Sequence, residues 1–263
     1  MTTRRRIDQL LVERGLAESR EKAARLILAG DVMVDGRRVD KVGALASTDS
    51  EIDVRGRAPY VSRGGEKLVH ALDAFKVEVR GKICADVGAS TGGFTDCLLQ
   101  RGAAKVFAID VGSGQLDIKL RKDPRVVVME QMNARALDPR LFAEAPEVVT
   151  VDVSFISLEK VLPAAFGLLA PSGELVALVK PQFEVGRGAV GKGGVVRDPA
   201  QHQAVISRLA RFSVIRGWHV LGVTASPLKG PKGNREFFLH LSSHGRTAAN
   251  LEGLIARSVE ALA

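Results

Sequence analysis

The chain has one tryptophan, one tyrosine and two cysteines in 263 residues. Scarce aromatics argue against a broad stacking platform for bases. Cys84 and Cys97 form no Cys-x-x-Cys, and each sits in an apolar segment. Both read as small core residues of a reducing compartment. The histidines fall at no ligand-like spacing, so no metal site is expected. No apolar run approaches the length that spans a bilayer. Met1-Thr2-Thr3-Arg4-Arg5-Arg6 lacks the apolar core of a signal peptide. These absences lead us to expect a cytoplasmic protein with no membrane partner.

What the chain has is positive charge and apolar mass. Lysine and arginine number 38 against 30 acidic residues, a net charge of +8, and 46% of residues are apolar. That is enough for one large or two small domains with a real core. A basic balance of this kind suits nucleic acid or anionic lipid. Arg4, Arg5, Arg6, Arg14, Arg20, Lys22, Arg25, Arg37 and Arg38 crowd towards the amino terminus. There, Ile7, Leu10, Leu11 and Val12 predict a short amphipathic helix stopped at Gly15. Ser19 caps a second helix, with Ala23, Leu26 and Ile27 inward and Gly30 as terminator. Val32–Val34, Asp35-Gly36 and Arg37–Val39 predict a hairpin with a type I′ turn, and Ile52–Val54 a further strand.

Three segments carry that pattern: Arg6–Val12, Ser19–Ala23 and Gly30–Gly36. In this order, and with this charge, they resemble the S4 RNA-binding domain. The resemblance implies RNA contacts from Arg4, Arg6, Arg14, Arg20, Lys22 and Arg25. The boundaries we expect are an S4-like domain over 1–58, a linker over 59–63 and a second domain over 64–263. Arg55-Gly56-Arg57-Ala58-Pro59 has linker composition.

In the second domain, Asp86-Val87-Gly88-Ala89-Ser90-Thr91-Gly92-Gly93-Phe94 follows the apolar run Lys82–Ala85. A second run, Lys105–Ile109, ends in Asp110. Strand, glycine-rich turn, helix and acid-closed strand make a nucleotide-binding βαβ unit. The glycines predict close approach of backbone to ligand, and Asp110 an acceptor for both ribose hydroxyls. The pattern Asp-x-Gly-x-x-x-Gly-Gly departs from a dinucleotide site, and Asp86 would repel a pyrophosphate. S-adenosylmethionine (SAM), with an ammonium, a sulfonium and no phosphate, fits instead.

From residue 82 strands and helices alternate, as an α/β doubly wound fold requires. Strands are expected near 82–87, 105–110, 126–129, 147–152 and 173–180. A helix is expected over Leu158–Leu169, with Pro163 as a flaw or late start. The glycine-rich stretch 181–197 reads as loop. Asp198 caps a helix through Ile215. Trp218–Ala225 and Glu236–Leu241 predict an antiparallel finish, and Ala248–Leu262 a last helix. Such a finish suits a Rossmann-like methyltransferase sheet.

Asp152, Lys180 and Glu236 fall at strand ends, and Lys67 on the first helix of the domain, beside Leu68, Ala71, Leu72 and Phe75. Ligands of open α/β sheets lie beyond the carboxyl ends of the strands. A Lys-Asp-Lys-Glu set there suits methylation of a ribose 2′-hydroxyl, a poor acid that must be oriented and relieved of its proton.

Five segments, Val61–Leu68, Gly92–Thr95, Val151–Leu158, Leu178–Gly186 and Ser226–Glu236, resemble the haemolysin A (TlyA) family. The resemblance spans nearly the whole chain. It implies an S4 domain fused to an FtsJ-like SAM-dependent methyltransferase. The expected reaction is 2′-O-methylation of cytidine in ribosomal RNA or ribosomal subunits, by a monomer. It also implies catalytic roles for Lys67, Asp152, Lys180 and Glu236. The cofactor residues expected are Asp86, Gly88, Ser90, Thr91, Gly92, Gly93, Phe94, Asp110, Asp152 and Phe155. Pro59-Tyr60 stands where the family usually has tryptophan. Two alternatives are a membrane-active haemolysin and a non-catalytic RNA-binding protein. The first lacks a spanning or lipid-anchoring segment, and the second would need a broken tetrad or glycine loop.

Overall fold

The computed structural model describes residues 3–54, 59–186, 188 and 190–261. The chain divides into the units Met1–Ala58 and Pro59–Ala263. Most of the linker segment read from composition, residues 55–58, lies outside the described residues.

In the first unit, strand β1 (Arg4–Arg6) runs straight into helix α1 (Ile7–Glu13). Helix α2 (Arg20–Ala29) begins where Ser19 Oγ accepts the Lys22 N–H at 3.2 Å. It ends at Gly30, whose φ of +76° is the left-handed cap that glycine adopts without strain. Strands β2 (Val32–Val34) and β3 (Arg37–Val39) form the expected hairpin. Asp35 and Gly36 both take positive φ, 48° and 75°, as a type I′ turn demands. Strand β4 (Leu45–Ser47) pairs with β1, and β5 (Ile52–Val54) with β2. Ile7, Leu10, Leu11, Ala23, Ile27 and Val32 form the core. The β1–β4 ribbon was not anticipated. Three consecutive arginines show no apolar alternation, and the pairing rests on backbone hydrogen bonds.

The second unit opens with helix α3 (Gly64–Phe75), then β6 (Ile83–Val87), α4 (Gly93–Gln100), β7 (Lys105–Ile109), α5 (Ile118–Lys122) and β8 (Val126–Met129). It continues through β9 (Val148–Val151), α6 (Leu162–Gly167), β10 (Glu174–Val179), α7 (Pro181–Glu184), α8 (Pro199–Ile215), β11 (His219–Ala225), β12 (Phe237–Ser242) and α9 (Leu251–Glu260). The sheet order is β11-β12-β10-β9-β6-β7-β8. Strands β6 to β10 pair parallel, and β12 runs antiparallel to both β10 and β11.

Alternate residues of each strand serve opposite faces. Ala85, Val87, Val149 and Val151 pack with the α8 residues Val205, Ile206 and Leu209. Cys84, Val106 and Val148 pack with Leu68 of α3 and Leu98 of α4. Both faces are covered, which is why the strands read as continuous apolar runs. Connectivity reverses at β6, flanked by β7 and β9, and an open α/β sheet binds ligand at such a switch point.

Two expectations shift. The helix over Leu158–Leu169 is split into a 3-10 turn, Leu158–Lys160, and α6. Pro163 stands in the first turn of α6, where its missing N–H costs nothing. Stretch 181–197 holds the short helix α7 and a 3-10 turn at Lys192–Gly194. Proline at a helix start explains the first; the glycines elsewhere in the stretch do not reach back to it. In the last helix, Leu262 lies outside the described residues.

Candidate active site

The carboxyl ends of β6, β9 and β10 and the start of β12 meet at one cavity of about 300 Å³. Asp152 follows β9, Lys180 follows β10, and Glu236 precedes β12, which reaches the same edge because it runs antiparallel. Lys67 comes from the second turn of α3 and is buried, although the sequence placed it only beside an apolar stripe. All four side chains line the cavity. They form two close pairs. Lys67 Nζ donates to Glu236 Oε2 at 2.6 Å, with the Glu236 side chain only 1% exposed. Lys180 Nζ lies 2.6 Å from Asp152 Oδ1 and donates to Ser154 Oγ at 3.0 Å. The Lys180 ammonium therefore covers Asp152 Oδ1 as an ion pair, and the Asp152 side chain keeps 22% exposure at the cavity.

The glycine-rich turn forms another wall of the cavity, through Gly88, Ser90, Thr91, Gly93 and Phe94. Gly88 has φ +90°, and a Cβ there would stand 2.4 Å from the backbone oxygen of Asp152. Glycine is therefore required by the packing of two strand ends, and the same residue also lines the cavity. Gly92, φ +98°, lies outside the cavity lining, and its Cβ would strike Leu120.

Asp110 closes β7 at a second, much smaller cavity of about 10 Å³, room for roughly one water. Ala89 and Ser90 line both cavities. Asp110 accepts the N–H of Ser90 at 2.8 Å and of Gly112 at 2.7 Å. Ser90 Oγ donates to Gln115 Oε1 at 3.3 Å, which narrows this end.

Besides Gly92, two more expected cofactor residues lie outside both cavities, Asp86 and Phe155. Asp86 is sealed, accepting from Thr95 Oγ1 at 2.7 Å and Thr150 Oγ1 at 3.3 Å, and lines neither cavity. A sealed carboxyl that lines neither cavity does not discriminate between a pyrophosphate and a cationic ligand. Phe155 is 90% exposed, with φ +63°, and leans on Phe183 at a centroid distance of 4.9 Å. Sequence reasoning missed Ser154, Gln115 and Glu130. Glu130 directly follows β8 and lines the Asp110 cavity; the rule that found Asp110 would have found it.

Burial pushes the Asp86 carboxyl up to about 7, with the Asp152 charge adding to the rise and the Thr95 hydroxyl opposing it. A raised acid binds its proton in the folded state at pH values where the unfolded chain has released it. Its contribution is therefore full below about pH 4 and is lost as pH rises towards about 7. Asp86→Asn should abolish that slope, whose ceiling is about 4 kcal/mol. Urea unfolding of parent and variant at pH 5 and pH 8 checks it, and an equal pH response in both would sink it.

In the first unit, the six expected RNA contacts are largely engaged. Arg6 and Arg20 both donate to the buried Asp8, at 2.9 and 2.8 Å, and hold its carboxyl down at about 2. Arg14 ties down the carbonyls of Thr48 and Ser50. Lys22 pairs with Glu18, and Arg25 with Glu21. Arg4 lies exposed on β1. Among the described residues, Arg4, and Arg37 and Arg38 on the hairpin, make no ion pair.

The FtsJ-like methyltransferase pattern matches residues 60–243, and the S4 domain pattern residues 5–52. The 16S/23S rRNA (cytidine-2′-O)-methyltransferase TlyA of Mycobacterium tuberculosis is 50% identical over 256 residues, covering 97% of this chain and 96% of that one. Hemolysin A of Brachyspira hyodysenteriae is 46% identical over 237 residues, covering 89% and 98%. A solved chain from Streptococcus thermophilus superposes with a TM-score of 0.75 at 43% identity, covering 99% and 96%. Among the described residues no helix is long and apolar enough to cross a membrane. With a parallel sheet, a cavity at its switch point and these likenesses along nearly its whole length, the chain belongs to the haemolysin A (TlyA) family of FtsJ-like methyltransferases carrying an amino-terminal S4 domain.

Proposed function

We propose that the chain methylates the 2′-hydroxyl of cytidine in ribosomal RNA, with SAM as donor. One observation carries the reading. Two lysine–carboxylate pairs, each at 2.6 Å, open into a single cavity walled by a glycine-rich turn. The name of the Mycobacterium tuberculosis relative supplies the nucleotide.

SAM fits the residues present. The Asp152 carboxylate, partly exposed where it lines the cavity, suits a cationic ligand group, and Asp110 with Glu130 suits the ribose end. That end must widen, and the Ser90–Gln115 contact is the one to give. Bound there, SAM supplies an activated methyl group on sulfur. The protein has to hold the hydroxyl in line and take up its proton. Lys180 Nζ is the atom placed for both, oriented by Asp152 and Ser154: as the ammonium it holds the hydroxyl, and once it has released a proton to water the free amine takes up the hydroxyl's proton. Glu236 and Lys67 form the opposite side and orient the ribose. Phe155, an exposed ring beside the site on a strained backbone, offers a stacking face for the base rather than for the cofactor. The exposed cations of the S4 domain supply phosphate contacts.

The test is to incubate the chain with ribosomal RNA and methyl-labelled SAM, digest to nucleosides and separate them. Label should appear in 2′-O-methylcytidine. Label in a base-methylated nucleoside, or none, would refute the reading.

A further inference from the structure

A further cavity of about 370 Å³ is lined by Arg197 and by Lys229, Lys232 and Arg235 of the Ser226–Glu236 loop. No carboxylate lines it, and among the described residues none of the four makes an ion pair. Four unpaired cations around one cavity repel one another, and an ordinary solvated surface intersperses signs instead.

The platform beneath them is built. Asn234 is buried; its Oδ1 accepts the Val196 N–H at 2.9 Å and its Nδ2 donates to the Gly194 carbonyl at 2.9 Å. The Val196 carbonyl accepts from His202 Nε2 at 3.0 Å, so both polar groups of Val196 are pinned. Within the loop, Gly230 N–H donates to the Asn234 carbonyl at 2.9 Å and Gly233 N–H to the Gly230 carbonyl at 2.8 Å. The cations thus stand on a fixed turn.

The same loop touches the reaction site. A Cβ on Gly230 would meet Glu236 Oε1 at 2.4 Å, and Pro231 lines the tetrad cavity. One short loop therefore presents Pro231 and Glu236 to the site and three of the cations to the neighbouring cavity. We propose that this basic cavity on the methyltransferase unit binds the ribose-phosphate backbone of the RNA strand next to the target nucleotide. This rests on the reading of the tetrad as an RNA site. Phosphodiesters carry one charge per nucleotide, and a polynucleotide threaded through the tetrad must pass one rim of it. Exposed Lys and Arg side chains on a rigid turn neutralise such charges without reading sequence.

Arg197, Lys229 and Lys232 are exposed and partnerless among the described residues, so replacing them leaves the packing alone. The experiment compares the full-length parent with the triple variant Arg197→Gln, Lys229→Gln, Lys232→Gln. Fluorescence anisotropy follows binding of a labelled oligocytidylate over a series of salt concentrations. The logarithmic salt slope should shrink by about two for three lost contacts on a single strand. An unchanged slope would overturn the proposal. So would a variant that loses binding of poly-glutamate but not of RNA, which would mark the cavity as a protein-docking surface. Methyl transfer is read separately. A parent that binds RNA with the full slope but transfers no methyl group refutes the reaction and leaves the cavity's role standing.

Discussion

Lys180→Ala should bind SAM and RNA nearly as the parent does and transfer the methyl group about 100- to 10,000-fold more slowly. The expected loss is that of a positioned acid–base group. Lys180 is the cleaner of the two lysines to remove. Its side chain and that of Asp152 keep 12% and 22% exposure, so water can reach the carboxylate left behind. Lys67→Ala would strand Glu236 at 1% exposure, and breaking a buried pair costs about 3–5 kcal/mol of stability. A dead Lys67 variant would therefore say little about chemistry. Lys180→Arg should also fail, because guanidinium has a different shape and keeps its proton at ordinary pH. The measurement is single-turnover methyl transfer at saturating SAM with matched RNA occupancy. Rates near the parent's for Lys180→Ala would move the chemistry to another group.

Removing residues 1–58 should abolish methylation of ribosomal RNA while SAM affinity is retained. The second unit has its own apolar clusters on both faces of the sheet, and every tetrad and glycine-turn residue belongs to it. What the truncation deletes is the exposed charge of the first unit. Affinity that rests on phosphate contacts falls steeply with salt, so the loss should be most complete at physiological ionic strength. Much of that charge is already paired with acids. Exposed pairs of this kind are weak, about 0–1 kcal/mol, and yield to a phosphate. Asp8 is different: it is buried between Arg6 and Arg20, and those two serve the fold before they serve RNA. Calorimetry with SAM and a methyl-transfer assay on ribosomal RNA decide the matter. Normal methylation by the truncated chain would remove the S4 domain from substrate capture.

Local signals carried much of the architecture. Ser19, Gly30 and Asp35-Gly36 act within a few residues of themselves, so a cap, a stop and a turn were readable before any contact was known. The parallel strands were readable because burial on both faces leaves only apolar residues in them. Asp110 and Asp152 were readable as acids closing apolar runs. The reversal of β12 was expected as part of an antiparallel finish, and it is what returns Glu236 to the cavity edge.

Tertiary structure decided what those residues do. Asp86 and Asp152 each lie at a strand end, yet one is sealed under Thr95 and the other lines the cavity. Both belong to one face, since Asp86 registers with Thr150, two residues before Asp152; the difference is depth, Asp86 lying inside β6 under the Thr95 of the following helix and Asp152 beyond the end of β9. Gly88 is needed because Asp152 arrives from a strand far along the chain, a distance no local motif records. Lys67 became a buried partner of Glu236 across 169 positions of sequence. The β1–β4 ribbon left no pattern, since backbone hydrogen bonds ask nothing of side chains. Sequence determines which residues prefer helix, strand or turn, because those preferences are local. Which charges are paired, sealed or left open to a ligand depends on packing between distant segments, and only the folded chain settles it.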